Sequence, residues 1–392
     1  MSTLPISTPP QVASLASAAA PKVLLHPAFV RLLFVQSALG LSFSVFLILP
    51  KHLTVGLGAG PFEIGWIMAL YGAANILLAK PLARLLRRVG RRRFMRLGAL
   101  CTAVGGAVFM FVDHAGLLAG FGRFVQGIAW AMIFTAGSAL AADLAPPGRM
   151  AQAMGVFASA VLAMNAVGPP LAEPLLAEGG PIVVFGIAVA AALLAFVLAG
   201  RLPADGPTLE TAQVTPAAGR VLPVQLWALW AVLGFSCATM FSFHQPLALQ
   251  RGVLRVSDFL LGYTVTALAV RVVAGRWLDR VGYERACRAS LALYGVVVAG
   301  TQLMAPGTIA VLGAVFGIAH GTFYPSFMAL SLARVSADER PLLMTTVNVA
   351  FSAGSLLVVA LGFVAEQVGL PLVFSGVGAV TLAGLWCLRR RG

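Results

Sequence analysis

Charge is what this chain lacks: 10% of its 392 residues are Asp, Glu, Lys or Arg, where a soluble domain carries about a quarter. With 59% hydrophobic residues, the missing charge excludes a surface that faces water throughout. Carboxylates are rarer still, at 13. Glu63, Glu173 and Asp258 stand near the ends of apolar runs and no acidic residue stands in the middle of one. Membrane proton relays usually place a carboxylate there, so a central acidic carrier is absent. Any internal cavity should be neutral to basic and aromatic. The four cysteines, Cys101, Cys237, Cys287 and Cys387, lack metal-ligand spacing and read as small buried apolar side chains. No G-x-x-x-x-G-K-[ST] phosphate loop occurs, and no clustered His or carboxylates suggest a metal or nucleophile centre. An enzyme and a bound cofactor are therefore not expected. Residues 1–22 are Ser/Ala/Pro-rich with neither a basic start nor an apolar core, which reads as a disordered tail and not a signal peptide.

What is present is apolar length. A crossing of hydrocarbon needs about 20 mostly apolar residues. Apolar runs and their breakers give twelve of them, over 29–50, 62–83, 95–112, 116–140, 151–172, 181–199, 224–249, 258–277, 287–304, 308–332, 342–364 and 371–388. An even number puts both termini on one side. Of the 27 Lys and Arg, 21 then fall on that side and three, Lys51, Arg251 and Arg255, on the other. Short basic loops stay in the cytoplasm, so both termini are expected there, in a multi-pass protein of the inner membrane. The net charge of +14 is concentrated in the connection holding Arg84, Arg87, Arg88, Arg91, Arg92, Arg93 and Arg96. It orients a membrane protein and does not indicate nucleic acid.

The longest connection, 201–223, is rich in Pro, Ala and Thr and reads as a cytoplasmic linker between a bundle at 23–200 and another at 224–392. The halves echo each other. Tyr71, Leu86, Arg88, Val89 and Gly90 match Tyr263, Leu278, Arg280, Val281 and Gly282 at one offset, and Gly127-Ile128-Ala129 matches Gly317-Ile318-Ala319 at nearly the same one. The expected fold is all-α, with twelve transmembrane helices in two pseudo-symmetric six-helix bundles repeated in parallel.

Three motifs stand in the connections and spans. Gly275-Arg276-Trp277-Leu278-Asp279-Arg280-Val281-Gly282 follows span eight, and its first-half counterpart, Ala83-Arg84-Leu85-Leu86-Arg87-Arg88-Val89-Gly90-Arg91-Arg92, has Arg87 in place of the aspartate. Gly275 allows close helix approach, and Asp279 can accept from helix N-termini or pair with arginine. Arg123-Phe124-Val125-Gln126-Gly127 opens span four, with Arg123 and Gln126 on one face. Gly168-Pro169-Pro170 lies near the outer end of span five, where a Gly-Pro pair permits a kink. On these motifs nearly the whole chain resembles the major facilitator superfamily, in particular its twelve-span drug-proton antiporter branch. The resemblance implies transport of a small molecule by alternating access. It makes Gly275, Asp279, Arg280 and Gly282 a latch at the cytoplasmic helix ends, with Gly90 at the degenerate first-half counterpart, where a positive-inside anchor is the alternative. Arg271, four residues before Gly275, is a candidate for the central cavity or, alternatively, for bracing that latch. The resemblance associates Arg123 and Gln126 with proton coupling, an interfacial anchor being the alternative for Arg123, and Gly168 and Pro169 with a hinge used in export.

Other polar residues in spans are candidates for a central cavity: Gln36, Asn75 and Asn165 from the first half, His244, Tyr263, Tyr324 and Asn348 from the second. A structural hydrogen bond between helices is an equally good reading of each. His320 shares its helix with a stripe of Gly313, Gly317 and Gly321, and an imidazole titrating near neutrality can carry a proton. The expected partners are protons, the lipid bilayer and an apolar, zwitterionic or anionic small molecule, handled by a monomer. Proton-coupled efflux is the leading reading and solute uptake on the same scaffold the rival. A reporter active only in the cytoplasm should work when fused after residue 390 or within 203–218, and fail near Gly60 or Gly179. Activity at Gly179 would overturn the topology.

Overall fold

Hydrocarbon gives a backbone no water to bond with, so a crossing segment must satisfy itself as a helix. The computed structural model describes residues 23–203, 223–336 and 339–388, with the side chains of 151, 272–280, 340–342 and 345 excepted. The described residues form helices and no strands. In order these are α1 Pro27–Gly56, with 3-10 and π turns after Val45, α2 Pro61–Val89, α3 Arg91–Val108, α4 Leu117–Asp143, α5 Met150–Met164 and α6 Gly168–Ala199. After residue 223 come α7 Val224–Gln250, α8 Ser257–Val281, α9 Tyr283–Gly300, α10 Ile309–Leu332, α11 Arg340–Leu356 resuming as Val358–Val368, and α12 Leu370–Ala383.

Nine stretches among the described residues are long and apolar enough to cross a membrane. One of them, Gln152–Ala199, has 48 residues. That is about 70 Å of helix, more than twice the hydrocarbon core of about 30 Å, and its backbone turns at Gly180, where φ is 69°. It makes two crossings. Helices α3 and α8, of 18 and 25 residues, run between neighbours that cross. The arrangement is consistent with the twelve crossings read from hydropathy.

Each half packs in the same way. Helix α4 lies against α2 and α3 in the first half, and α10 lies against α8 and α9 in the second. The matched sequence fragments make matched contacts. A Cβ on Gly127 would stand 2.3 Å from the Tyr71 carbonyl oxygen, and one on Gly317 would stand 2.3 Å from that of Tyr263. Small residues at such crossings let two backbones touch. Gly90 and Gly282 end α2 and α8 with φ of 79° and 86°, a left-handed region that suits glycine, so the same corner turns the chain in both halves.

Two faces result. On the arginine-rich face Arg91 pairs with Asp143, Arg92 donates to the Leu202 carbonyl at 3.4 Å, and Arg288 donates to that of Leu388 at 2.9 Å. The opposite face carries the end of α1 and the starts of α2 and α8. There the halves meet. A Cβ on Gly65 of α2 would lie 2.8 Å from the Val358 carbonyl oxygen, and one on Gly362 of α11 would lie 2.5 Å from that of Pro61. Gly317→Val should cost at least about 2 kcal/mol by overpacking, read as a lower melting temperature in detergent. Gly376→Ala, where a Cβ meets nothing within 4 Å, should leave melting unchanged.

Candidate functional site

Between the halves lies a cavity of about 660 Å³, within the range of about 300–1,000 Å³ typical of small-molecule sites. Its first wall is built by Gln36 and Phe43 of α1, Tyr71 and Asn75 of α2, Arg123, Trp130 and Phe134 of α4, and Asn165 just after α5. The second is built by Trp230 and Phe241 of α7, Tyr263 and Arg271 of α8, His320 and Tyr324 of α10, and Asn348 and Phe351 of α11. Six of the seven polar residues picked out for a cavity therefore meet here, together with Arg123, Arg271 and His320. The structure does not bring His244 to it. That ring is fully buried, with Nδ1 2.5 Å from the Met240 carbonyl and its centroid 4.4 Å from that of Phe259. It is held inside its own half.

Arg123 is buried. Its Nη1 donates to Gln126 Oε1 at 2.7 Å, one turn along α4, and its guanidinium lies 4.8 Å above the Tyr71 ring. An amide oxygen and a ring face compensate the charge in place of a carboxylate. Gln126 itself faces a separate cavity of about 20 Å³, shared with Gln36, Ser42, Tyr71 and Thr102, which is room for about one water molecule. Around these spaces Gln36 Oε1, Ser42 Oγ, Tyr71 Oη, Arg123 Nε, Gln126 Nε2, Asn165 Oδ1 and His320 Nδ1 are buried without a hydrogen-bond partner among the described residues. Buried polar atoms are normally paired, so this concentration marks a place that receives something polar.

The aromatic side chains are grouped by wall. Phe43 and Trp130 have centroids 4.8 Å apart, and Trp130 stacks on Phe134 at 5.8 Å. Opposite them, His320 meets the edge of Tyr263 at 5.9 Å and stacks on Tyr324 at 6.3 Å. Arg271 lies close enough to Tyr263, His320 and Tyr324 for its charge to bear on all three.

The cavity is sealed at the face opposite the arginines by contacts that sequence reasoning did not single out. Glu173 of α6 is buried. Its Oε1 accepts from Lys51 Nζ at 2.6 Å and from the Val256 amide at 2.9 Å, and its Oε2 accepts from the Ser257 amide at 2.9 Å. A first-half carboxylate thus caps the N-terminus of α8 in the second half, where the helix dipole favours a negative charge. Lys51 Nζ also donates to the Leu254 carbonyl at 2.6 Å. Gln245 of α7 completes the seam, accepting from the Lys51 amide at 3.0 Å and donating to the Leu47 carbonyl at 2.5 Å. One signal was available in the sequence: Lys51 is among the three basic residues on that side, with Glu173 an acid at the same depth.

The remaining motif residues are placed as follows. Gly275, Asp279 and Arg280 fall on the last turns of α8, on the arginine-rich face, and their side chains lie outside the described residues. Gly168 and Pro169 do not kink a continuous helix. Helix α5 ends at Met164, and α6 begins at Gly168 with proline in its first turn, where a missing N–H costs nothing. Gly168 instead admits α1, since a Cβ there would lie 2.0 Å from Ser44 Oγ. Among the described residues no group of three or more His, Cys, Asp or Glu is placed to hold a metal.

Two repeated helical halves, sealed at one face over a cavity lined with polar and aromatic groups, have the build of a membrane transporter and not of an enzyme. The chain belongs to the Major Facilitator Superfamily, whose family model matches residues 32–307 and 255–392. Among curated relatives it is 29% identical over 142 residues to the voltage-gated purine nucleotide uniporter SLC17A9 of Homo sapiens, covering 34% of this chain and 32% of the relative. It is 29% identical over 176 residues to the efflux pump azaK of Aspergillus niger, covering 42% and 37%. The matched stretches span about a third of the length of these relatives. The fold extends further than the sequence likeness. The solved nucleoside transporter NupG superposes with a TM-score of 0.77 over 93% of this chain and 100% of that one, at 13% identity. A bacterial homologue of the lysosomal transporter Spinster, in an inward-facing and unoccupied conformation, gives 0.68 over 92% and 94%, at 15%.

Replacing Glu173 by Gln keeps the shape but removes the charge-assisted bonds, each worth about 1.5–3 kcal/mol. In a chain whose native cysteines are replaced, Ala69→Cys at the cavity wall should react with an impermeant maleimide from the sealed face about tenfold faster once Glu173→Gln is added. An unchanged rate would show that this carboxylate does not hold the face shut.

Proposed function

We propose that this protein is a secondary active transporter that carries a small organic molecule outward across the inner membrane in exchange for protons. The observation that carries the reading is the cavity between the halves, with its buried unpartnered polar atoms and its seal at one face. Alternating access needs such a site, bounded by two bodies that rock about it. The 21-to-3 distribution of Lys and Arg supports an arginine-rich face in the cytoplasm, with both termini there. The cavity is then entered from the cell interior. One chain encloses the site, which supports a monomer. Outward transport draws on the Gly168-Pro169 motif and on the likeness to an efflux pump. Substrates that suit the walls are apolar, zwitterionic or anionic.

Proton coupling is assigned to Arg123, Gln126 and His320. Arg123 and Gln126 share a hydrogen bond beside a water-sized space, and His320 brings an unpartnered ring nitrogen to the main cavity, which Arg123 also lines. Gly275, Asp279, Arg280, Gly282 and Gly90 are assigned to the cytoplasmic latch and its corners, with Gly168 and Pro169 as the hinge beside α1. Passive uniport is the second reading. The absence of Asp and Glu from the described residues lining the main cavity favours it, as does the likeness to a uniporter. Proteoliposomes separate the two. Under a proton-coupled mechanism an imposed pH gradient drives substrate against its own gradient, Arg123→Ala abolishes that response, and Arg123→Lys keeps a fraction of it, holding the charge without the planar fork. A response to the gradient in Arg123→Ala equal to that of the unmodified protein would remove Arg123 from the coupling path. No response in either would establish uniport.

A further inference from the structure

Among the described residues, the charges that line the main cavity are all of one sign. Arg123 and Arg271 face it from opposite halves, and none of those described lining residues is Asp or Glu. The two guanidinium groups are not equivalent. Arg123 is already held by Gln126 and by the Tyr71 ring. Arg271 is exposed to the cavity and has no hydrogen bond or ion pair among the described residues. A free guanidinium presents a planar fork of donors that matches a carboxylate or a phosphate. Beside it His320 offers a buried ring nitrogen without a partner among the described residues, and the charge of Arg271 reaches Tyr324 as well. Across the cavity the Phe43–Trp130–Phe134 strip gives a flat apolar surface of the kind on which an aromatic ring stacks.

We infer that the cavity is a site for an aromatic organic anion, its carboxylate or phosphate held by Arg271 beside His320 and its ring laid against Phe43, Trp130 and Phe134. This rests on the transporter reading and narrows its substrate class. A cation meets two guanidinium charges and no carboxylate in the same space. A neutral ligand leaves Arg271 unpaired.

The test holds the ring fixed and varies the charge. Purified full-length protein in detergent is titrated with 1-naphthoate, 1-naphthyl phosphate and 1-naphthylmethylammonium, and binding is followed by calorimetry. The anions should bind at least tenfold more tightly than the ammonium ion, and whichever anion binds more tightly identifies the carboxylate or the phosphate as the preferred group. Arg271→Gln should weaken both anions at least tenfold and leave the ammonium ion no weaker, since a like charge is removed, with Arg271→Lys in between for the anions. The charge series on the unmodified protein stands even if a variant misfolds. Equal binding of the three, unchanged anion affinity in a folded Arg271→Gln, or no anion binding at millimolar concentration would overturn the inference. Counterflow of labelled anion in proteoliposomes then judges the transporter reading separately. Tight, Arg271-dependent binding without counterflow would keep the anion site and sink the transport.

Discussion

A polar atom carried into hydrocarbon costs several kcal/mol unless the protein supplies its partner, and the described helices sort their polar side chains on that account. Hydroxyls are returned to their own helix. Thr102 donates to Gly98, Ser236 to Val232, Thr239 to Phe235, Ser326 to Thr322 and Ser331 to Phe327, each to the carbonyl four residues back. These groups are silent. Longer polar side chains divide: Asn75 and His244 also donate to the carbonyl four residues back, those of Tyr71 and Met240, while Gln36, Asn75, Arg123, Arg271 and His320 line the space between the halves. Site and scaffold are two answers to one solvation problem.

Glycine supplies the rigidity that such a site needs. The paired contacts of Gly127 with Tyr71 and of Gly317 with Tyr263 press backbone on backbone, so the two tyrosines are fixed in equivalent places on opposite walls. In the second half α7 and α11 are joined likewise, since a Cβ on Gly234 would lie 1.9 Å from the Phe351 carbonyl oxygen and one on Gly354 1.8 Å from that of Ala231. Each wall of the cavity is thus built on helices of its own half held in direct backbone contact.

Much of the fold was legible because hydropathy and charge act over whole segments. The apolar runs located the crossings, and the repeated Tyr and Gly-Ile-Ala fragments announced two like halves before their contacts were visible. The site was legible in kind. Long polar residues inside apolar runs line the cavity in six of seven cases, and His244 departs because its ring packs on Phe259 inside its own half, a placement that residue type alone does not reveal. The Glu173 cap was not legible, for a different reason. It joins α6 to the start of α8 across 83 residues, and no periodicity connects a carboxylate with backbone amides in the other half. The break before Gly168 was placed a few residues late, because proline marks a helix start as readily as a bend.

The sealed face is made of two unlike materials. Along one seam, α1 and α6 meet α7 and α8 through a carboxylate, an ammonium group and an amide; along the other, α2 and α11 meet through Gly65 and Gly362 with almost no space between backbones. The first holds by charge and hydrogen bonds, so a replacement that keeps the shape of Glu173 but not its charge weakens it. The second holds by fit, so any atom added at Gly65 or Gly362 meets backbone. The two edges of one closed face are therefore vulnerable to opposite kinds of substitution, one that takes charge away and one that adds volume.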